Sequence, residues 1–463
     1  MPQQQGTESI VYCIKFDIRM FVKSLAMIYT IEMINNSSML ADVKLGYEIY
    51  DTCGDVSMAI KTVLKLMDNE GDSAKNCFPL DSNFSSYDPH VKVIIGERHS
   101  EVSIAVARLL TLLYIPQISY ASTSEVLSSK TKFPTFLRTV PSDACQTKAI
   151  AELALHLNWK SIGAIGSDDE YGKYGVECLM EHATDLDLCI AFKEIISADF
   201  SKNNNNTRTE LQKIINTIIN SSAEVIVIFT QELNVKILFE EAIKLDINRT
   251  WIASDAWSTS SLISSMRGIE HIGTIIGFVP NRNEVPGFKE YLHNLIIQEE
   301  YKHIGFFCEY LHSYPLCSNS ASEDKGNCSM NLYPNVTGSC ADINCLTNYI
   351  DTDECYNTYL AVNVIAKALQ SLLKCQSKTC DRKFKFSAWE LLEELKKVKF
   401  TLNNRTHMEF DQNGDPSVGY DILGWKASNG SVDIVQIGKY SYSGELNLTD
   451  DFLKPLENVT DMN

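Results

Sequence analysis

Over roughly its first 280 residues the chain alternates short β-branched runs with amphipathic stretches of roughly 10–15 residues, and no other feature narrows the fold so far. The runs are 43–51 (VKLGYEIYD), 91–96 (VKVIIG), 115–122 (IPQISYAS), 161–167 (SIGAIGS), 189–196 (CIAFKEII), 224–230 (EVIVIFT) and 250–254 (TWIAS). Helical spacing falls between them, at 100–114, 145–159, 172–183, 208–219 and 235–245. Most runs are apolar nearly throughout, so both faces need cover, and alternation with helices supplies it: a parallel sheet in an α/β fold. Seven strands are too many for one small sheet, so two doubly wound lobes are expected, with a break near 138–143 (RTVPSD). Further on, helices are expected at 357–373 and 388–397. Residues 410–425 (FDQNGDPSVGYDILGW) read as a turn leading into an extended strand. There Asp411, Asn413, Gly414 and Asp415 resemble the start of a calcium loop, but the later ligands and terminal Glu are missing, which favours a tight turn.

Several functions are excluded at this level. The formal net charge of −18 leaves no basic footprint for nucleic acid. There is no GxSxG elbow, phosphate-cradling GxxxxGK[ST], HExxH or GxGxxG, and the nine histidines are scattered. No apolar run approaches the roughly 18–20 residues that span a bilayer. The start, MPQQQGTES, lacks the basic and apolar regions of a signal peptide, which read literally means cytosolic. The 14 cysteines argue otherwise. Cys308, Cys317, Cys328, Cys340, Cys345 and Cys355 share one polar stretch without zinc-ligand spacing, where disulfides are the better reading and their pairing stays open. Cys178 and Cys189 sit among apolar residues and suit buried thiols. About a dozen Asn-x-Ser/Thr acceptors, among them Asn83, Asn248, Asn335, Asn404 and Asn458, also favour a secreted or cell-surface product. The beginning of the chain is therefore expected to be incomplete.

In open α/β sheets ligands bind beyond the carboxyl ends of the strands. Those ends carry Glu97 to Ser100, then Ala121, Ser122 and Thr123, then Asp168 to Tyr171, then Asp255 and Trp257. Two ends offer hydroxyls beside helix N-termini, which suit a carboxylate. The other two offer carboxylates and a ring, which suit an ammonium. A zwitterionic α-amino acid needs both. Taken singly, Ser100 and the pair Asp168 and Asp169 could be ordinary helix caps and Tyr171 half-buried packing; their shared location is what raises them.

The phrases EMINNSSMLADVKLGYEIYDTC, IPQISYAST, FPTFLRTVPSD, DDEYG, CIAFKE and WIASDAWS resemble the ligand-binding domains of class C G-protein-coupled receptors, over Cys13 to about Trp425. This superfamily holds calcium-sensing, metabotropic glutamate, taste and amino-acid receptors. The nearest phrasing is that of the group sensing basic L-α-amino acids under divalent-cation modulation. The resemblance implies a two-lobed, periplasmic-binding-protein-like (Venus flytrap) α/β fold and no enzymatic activity. Lobe 1 is then expected over 1–139 with about 277–415, lobe 2 over 140–276 with about 416–450, and a polar tail at 451–463. It further implies that Ser100, Ser122 and Thr123 receive the ligand carboxylate, and that the Ala121 region and Asp143 meet the amine. Tyr171 would face the ammonium and Asp255 would supply the opposing charge, with closure of the lobes reorienting a dimer. Side-chain specificity lies partly in a family loop absent here, so preference for basic amino acids rests on resemblance alone. The implied bridges are Cys13 with Cys53 and Cys375 with Cys380. Cys189 would pair with a following cysteine-rich domain. The family's dimer-linking cysteine falls on Asn83, with Cys77 nearby. No cofactor is implied beyond a modulating divalent cation such as calcium, for which no site is identified. The implied partners are an L-α-amino acid, a dimer partner and a G protein reached through a membrane domain outside this chain, placing the protein on the extracellular side of the plasma membrane.

Two alternatives stay open. One is a free-standing solute-binding protein, or a natriuretic-peptide-type ectodomain, of the same fold. The other is an enzyme using Asp168, Asp169 and Glu170 to hold a metal. One further expectation concerns the first strand of such a fold, which lies between 43–51 and 91–96 in the order 2-1-3-4-5. Only MPQQQGTESIVY precedes Cys13, so that slot is expected to be empty, and a chain lacking a central strand is expected to fold poorly.

Overall fold

The computed structural model describes residues 16–67, 90–197, 200–202, 205–281, 283–297, 304, 307, 346–376, 379–381, 385–402, 406–428 and 431–448. By internal packing the chain divides into two compact units, residues 1–92 with 283–395, and residues 93–282 with 396–463. This differs from the expected lobes in assigning 93–139, 277–282 and 396–415 to the second unit.

In the first unit, α1 (Ile18–Asn36) starts at the N-cap Asp17, whose carboxylate accepts from the backbone N–H groups of Arg19 and Met20. It packs on the long helix Thr352–Leu372. Lys23 of α1 is almost fully buried and would be costly there alone; Glu354 at 2.5 Å and Asp351 at 3.4 Å neutralise it. Cys375 and Cys380 are bridged just beyond that helix, with Cα atoms 4.0 Å apart. Cys53 is also disulfide-bonded, whereas Cys13, its implied partner, lies outside the described residues. So do Cys77, Cys308, Cys317, Cys328, Cys340, Cys345, Asn83, Asn335, Asn404, Asn458 and the tail 451–463.

The strand expected at 43–51 is a correction. It is extended backbone without a ladder among the described residues. Asn35, near the end of α1, supplies what a neighbouring strand would. Its amide donates to the Leu45 carbonyl at 3.0 Å and accepts from the Leu45 N–H at 2.8 Å. Whether residues 9–12 fill the adjacent slot lies outside the described residues.

The second unit holds every strand among the described residues. Three short parallel strands, β1 (Ile94–Ile95), β2 (Gln117–Ser119) and β3 (Phe136–Arg138), form one sheet in that order. The phrase FPTFLRTVPSD thus contributes a strand of its own, β3, just before the expected break. The larger sheet contains β4 (Ser161–Ser167), β5 (Cys189–Ile196), β6 (Val225–Phe229), β7 (Arg249–Ala253) and β8 (Gly273–Pro280), all parallel in the order β5-β4-β6-β7-β8. Beyond β8 it continues antiparallel through β11 (Tyr420–Ser428), β12 (Ser431–Tyr440) and β13 (Leu446–Leu448). A separate hairpin pairs β9 (Lys399–Leu402) with β10 (Thr406–Glu409). Helices α3 (Ser100–Thr111), α4 (Asp143–His156), α5 (Glu170–Asp185), α6 (Asn205–Asn220) and α7 (Glu232–Lys244) fall where the spacing puts them, within a few residues; the one between α1 and α3, α2 (Val56–Met67), was not expected. One apolar cluster packs α4 and α5 on the sheet through Leu153, Leu179 and Phe229, and another packs α6 and α7 through Ile218, Phe239 and Trp251.

Candidate functional site

The five parallel strands of the larger sheet run in chain order 2-1-3-4-5, so the topological switch point, where folds of this kind place their ligands, falls at the carboxyl ends of β4 and β6. The β4 end is built for close approach. Asp169 is the N-cap of α5 and accepts from Tyr171 N at 3.0 Å and Gly172 N at 2.7 Å. Gly172 rides so near β4 that a Cβ there would lie 2.2 Å from Ser167 N. Asp168 pairs with Lys173 at the surface. Among the described residues no three His, Cys, Asp or Glu gather where a metal could sit, and Asp168 and Asp169 are engaged in an ion pair and a helix cap.

Tyr171, the second residue of α5, packs edge-on against Phe229 of β6, with ring centroids 5.9 Å apart. Its hydroxyl donates to Asp255 Oδ1 at 2.7 Å. Asp255 follows β7, where Trp257 anchors the turn through a 3.0 Å bond from its indole N–H to the Ile228 carbonyl. Gln146, one turn after Asp143 on α4, donates from Nε2 to the same Asp255 oxygen at 3.3 Å. Asp143 is fully buried, and neither of its carboxyl oxygens makes a hydrogen bond of good geometry; the carbonyl oxygen of Gln146 makes none either. Burial first, and the Asp255 charge second, hold the Asp143 carboxyl well above the usual carboxylate range, against the opposing pull of Arg138 and the Thr123 hydroxyl. Burial, then the charges of Asp255 and Asp143, push the Tyr171 phenol well up, so it stays a neutral donor.

A second group of residues lies at the ends of β1 and β2. Ser100 opens α3, and His99, not Ser100, is the N-cap; the Ser100 hydroxyl accepts from Ser124 N at 3.3 Å. Thr123 is buried, and its carbonyl takes the Asp143 N–H at 2.8 Å. Ser122 turns inward, 2.7 Å from the Ser103 hydroxyl and 3.0 Å from the Glu97 carbonyl, and so acts within the loop. Ala121 is half-buried, and its N–H donates to Ser119 Oγ at 3.3 Å. The Ser124 hydroxyl donates to the Glu170 carbonyl at 3.1 Å, which joins this group to the start of α5.

The organiser of the loop is Arg138, which the phrase RTVPSD carries without any signal of this role. Fully buried, it donates from Nε to Asp415 at 2.6 Å and from one terminal nitrogen to the carbonyls of Ser122 and Ser124, at 3.2 and 3.0 Å. Its other terminal nitrogen reaches the Ser128 hydroxyl. Asp415 comes from the expected tight turn, in which Asp411 Oδ1 accepts from Asn413 N at 2.8 Å and Asp415 N at 2.9 Å. Gln146 was also missed, although its i+3 spacing from Asp143 places both on one helix face.

The arrangement is a set of buried acceptors beside an aromatic ring, with hydroxyls and a helix N-terminus close by in the same unit. This is a ligand-binding α/β domain of the two-lobed, periplasmic-binding-protein-like class. The family described as receptor family ligand binding region matches residues 22–428. The chain is 36% identical over 455 residues to human "G-protein coupled receptor family C group 6 member A", covering 95% of this chain and 48% of that protein. It is 35% identical to the mouse "Extracellular calcium-sensing receptor", covering 93% of this chain and 42% of the relative. It is 28% identical to human "Taste receptor type 1 member 3", covering 93% and 49%. The chain belongs to the receptor family ligand binding region, in the branch formed by the class C G-protein-coupled receptors, and its relatives are receptors rather than enzymes. It spans about half the length of the curated relatives it matches. Among the described residues no helix is long and apolar enough to cross a membrane.

Proposed function

We infer that the chain is the extracellular amino-acid-sensing part of a plasma-membrane class C receptor and that its ligand is a free L-α-amino acid. The observation that carries this is Asp143: a fully buried carboxyl group whose oxygens make no hydrogen bond of good geometry, its charge opposed by Asp255 close by. Buried polar groups are nearly always satisfied, and an ammonium supplies the missing donors. The hydroxyls of Ser100 and Thr123 and the N-terminus of α3 suit the ligand carboxylate. Preference for basic side chains, modulation by a divalent cation, closure of the lobes and signalling through a G protein follow from kinship and belong to the same proposal. Leu112 and Tyr114, exposed just after α3, offer an apolar surface for a dimer partner.

Titration calorimetry with a panel of L-amino acids tests the reading. A charge-assisted hydrogen bond is worth ~1.5–3 kcal/mol, so Asp255→Ala is expected to weaken binding by roughly one to two powers of ten. Unchanged affinity in that variant would remove Asp255 from the site.

A further inference from the structure

Asp143 and Asp255 belong to one site, yet the structure gives its donors to only one of them. The Tyr171 hydroxyl, at 2.7 Å, and the Gln146 amide, at 3.3 Å, both donate to Asp255 Oδ1. Asp143 lies on the same face of α4 as Gln146, and its carboxyl makes no hydrogen bond of good geometry although none of it is exposed to water. The cation that acts on it is committed elsewhere. Arg138 gives Nε to Asp415, one terminal nitrogen to the Ser122 and Ser124 carbonyls, and the other to the Ser128 hydroxyl. The remaining groups that face Asp143 offer a negative charge no counter-ion. Asp255 beyond β7 and Glu125 in the 3-10 helix Glu125–Ser128 are carboxylates. Tyr171 and Cys178 of α5 and Tyr420 of β11 are acids that burial keeps neutral, and Thr123 offers one hydroxyl. His182 of α5 reaches this point through Thr147, whose hydroxyl is 3.0 Å from the ring Nδ1 and donates to the Asp143 main-chain carbonyl at 2.8 Å.

We propose that the site takes its ligand by exchanging cations: in the free chain Asp143 is protonated and Asp255 ionised, and an entering ammonium drives the Asp143 proton out to solvent. This rests on the amino-acid reading of the site and adds to it a coupling between binding and protons. The donors present suffice for one buried carboxylate, and two like charges so placed do not both ionise. Burial and the Asp255 charge, which hold the Asp143 carboxyl above the usual range, act in the same direction. In the exchange the O–H bond of Asp143 breaks and its proton passes to water or buffer. The ammonium, already protonated at neutral pH, forms charge-assisted hydrogen bonds to the carboxylate left behind. The net charge of the site is the same before and after, so no uncompensated charge is left in the interior. A ligand of the same shape without an ammonium cannot drive the exchange, which confines the ligands to amines. Because the ligand lowers the pKa of a group that was protonated without it, affinity rises with pH. The slope approaches about tenfold per pH unit while Asp143 is protonated in the free chain and ionised in the complex.

The test uses the full chain with two readouts. Calorimetric titrations with L-arginine, L-lysine and L-alanine are run at one slightly acid pH in phosphate and in imidazole buffer, whose heats of ionisation differ. The difference in binding heat counts protons, and release of close to one proton per bound amino acid is expected, with affinity rising as pH is raised. Infrared spectra of the chain without ligand are expected to show the carbonyl band of a protonated, buried carboxyl at neutral pH. That band should vanish on addition of the amino acid that binds and be absent from Asp143→Asn. Asp255→Asn removes the charge that helps hold the proton, so it should move the loss of the band to lower pH, and it serves as the second variant if Asp143→Asn fails to fold. Saturable binding with the same heat in both buffers, or no protonated-carboxyl band in the parent chain without ligand, would overturn the exchange and leave the amino-acid reading standing. Failure of every probe to bind would remove the amino-acid reading and the exchange with it, whatever the infrared band shows.

Discussion

At the scale of single residues, Asp143 shows how binding and stability oppose one another. Its carboxyl is held above its unfolded value mainly by burial and by Asp255, so the native state keeps a proton that the unfolded state releases. The contribution to stability is complete below the unfolded carboxylate pKa and is lost as pH rises through the folded one. Asp143→Asn keeps the shape without the charge. It is expected to raise stability near neutral pH by about 1–3 kcal/mol, to flatten the dependence of stability on pH over the acid-to-neutral range, and to abolish amino-acid binding. Denaturant titrations at several pH values check this, and an Asn variant as pH-dependent as the parent would contradict it. The sequence marked Asp143 only through kinship, since an acid opening a helix is ordinary. Of its neighbours, Gln146 carried only its i+3 spacing from Asp143, and Arg138 no signal of its own, because burial of a polar residue depends on contacts distant in sequence, such as Arg138 with Asp415.

Among the elements, β5 matches its run of 189–196 although half-exposed along most of its length. β4, β6 and β7 are continuous apolar runs bounded by polar ends, and their limits match the reading within a residue or so. Residues 43–51 misled because a half-apolar extended segment has the same pattern whether a strand or a side chain satisfies its backbone, and here Asn35 does part of that work. The β1–β3 sheet is shorter than its runs suggested, for ladders end where the chain turns toward the loop held by Arg138. Gly172 sets the spacing between α5 and β4. Gly172→Ala would drive a methyl into the backbone of Ser167, so a loss of roughly 2–4 kcal/mol is expected, together with weaker ligand binding through displacement of Tyr171. Thermal denaturation measures the first effect and calorimetry the second. An alanine variant of parental stability would mean that α5 is not fixed at this point.

For the whole molecule, the α/β alternation was enough to indicate the fold class, whereas the division of the chain between units was not, because it depends on which loops pack together. The candidate site draws on five separate segments of the second unit, near Ser100, Thr123, Asp143, Tyr171 and Asp255, and none of them has a chemical signature alone. A ligand that binds only the folded chain stabilises it by RT ln(1 + [L]/Kd), about 2.7 kcal/mol at a hundredfold excess over Kd. The central claim is that the site reads both ends of an α-amino acid. The most direct measurement is a calorimetric comparison of one bound L-amino acid with its N-acetyl and its carboxamide derivatives. The account predicts saturable binding of the parent and at least tenfold weaker binding of both derivatives, because each removes one of the two charges the site pairs. Equal affinity for parent and derivatives, or binding of neither parent nor derivative across the amino-acid panel, would contradict it.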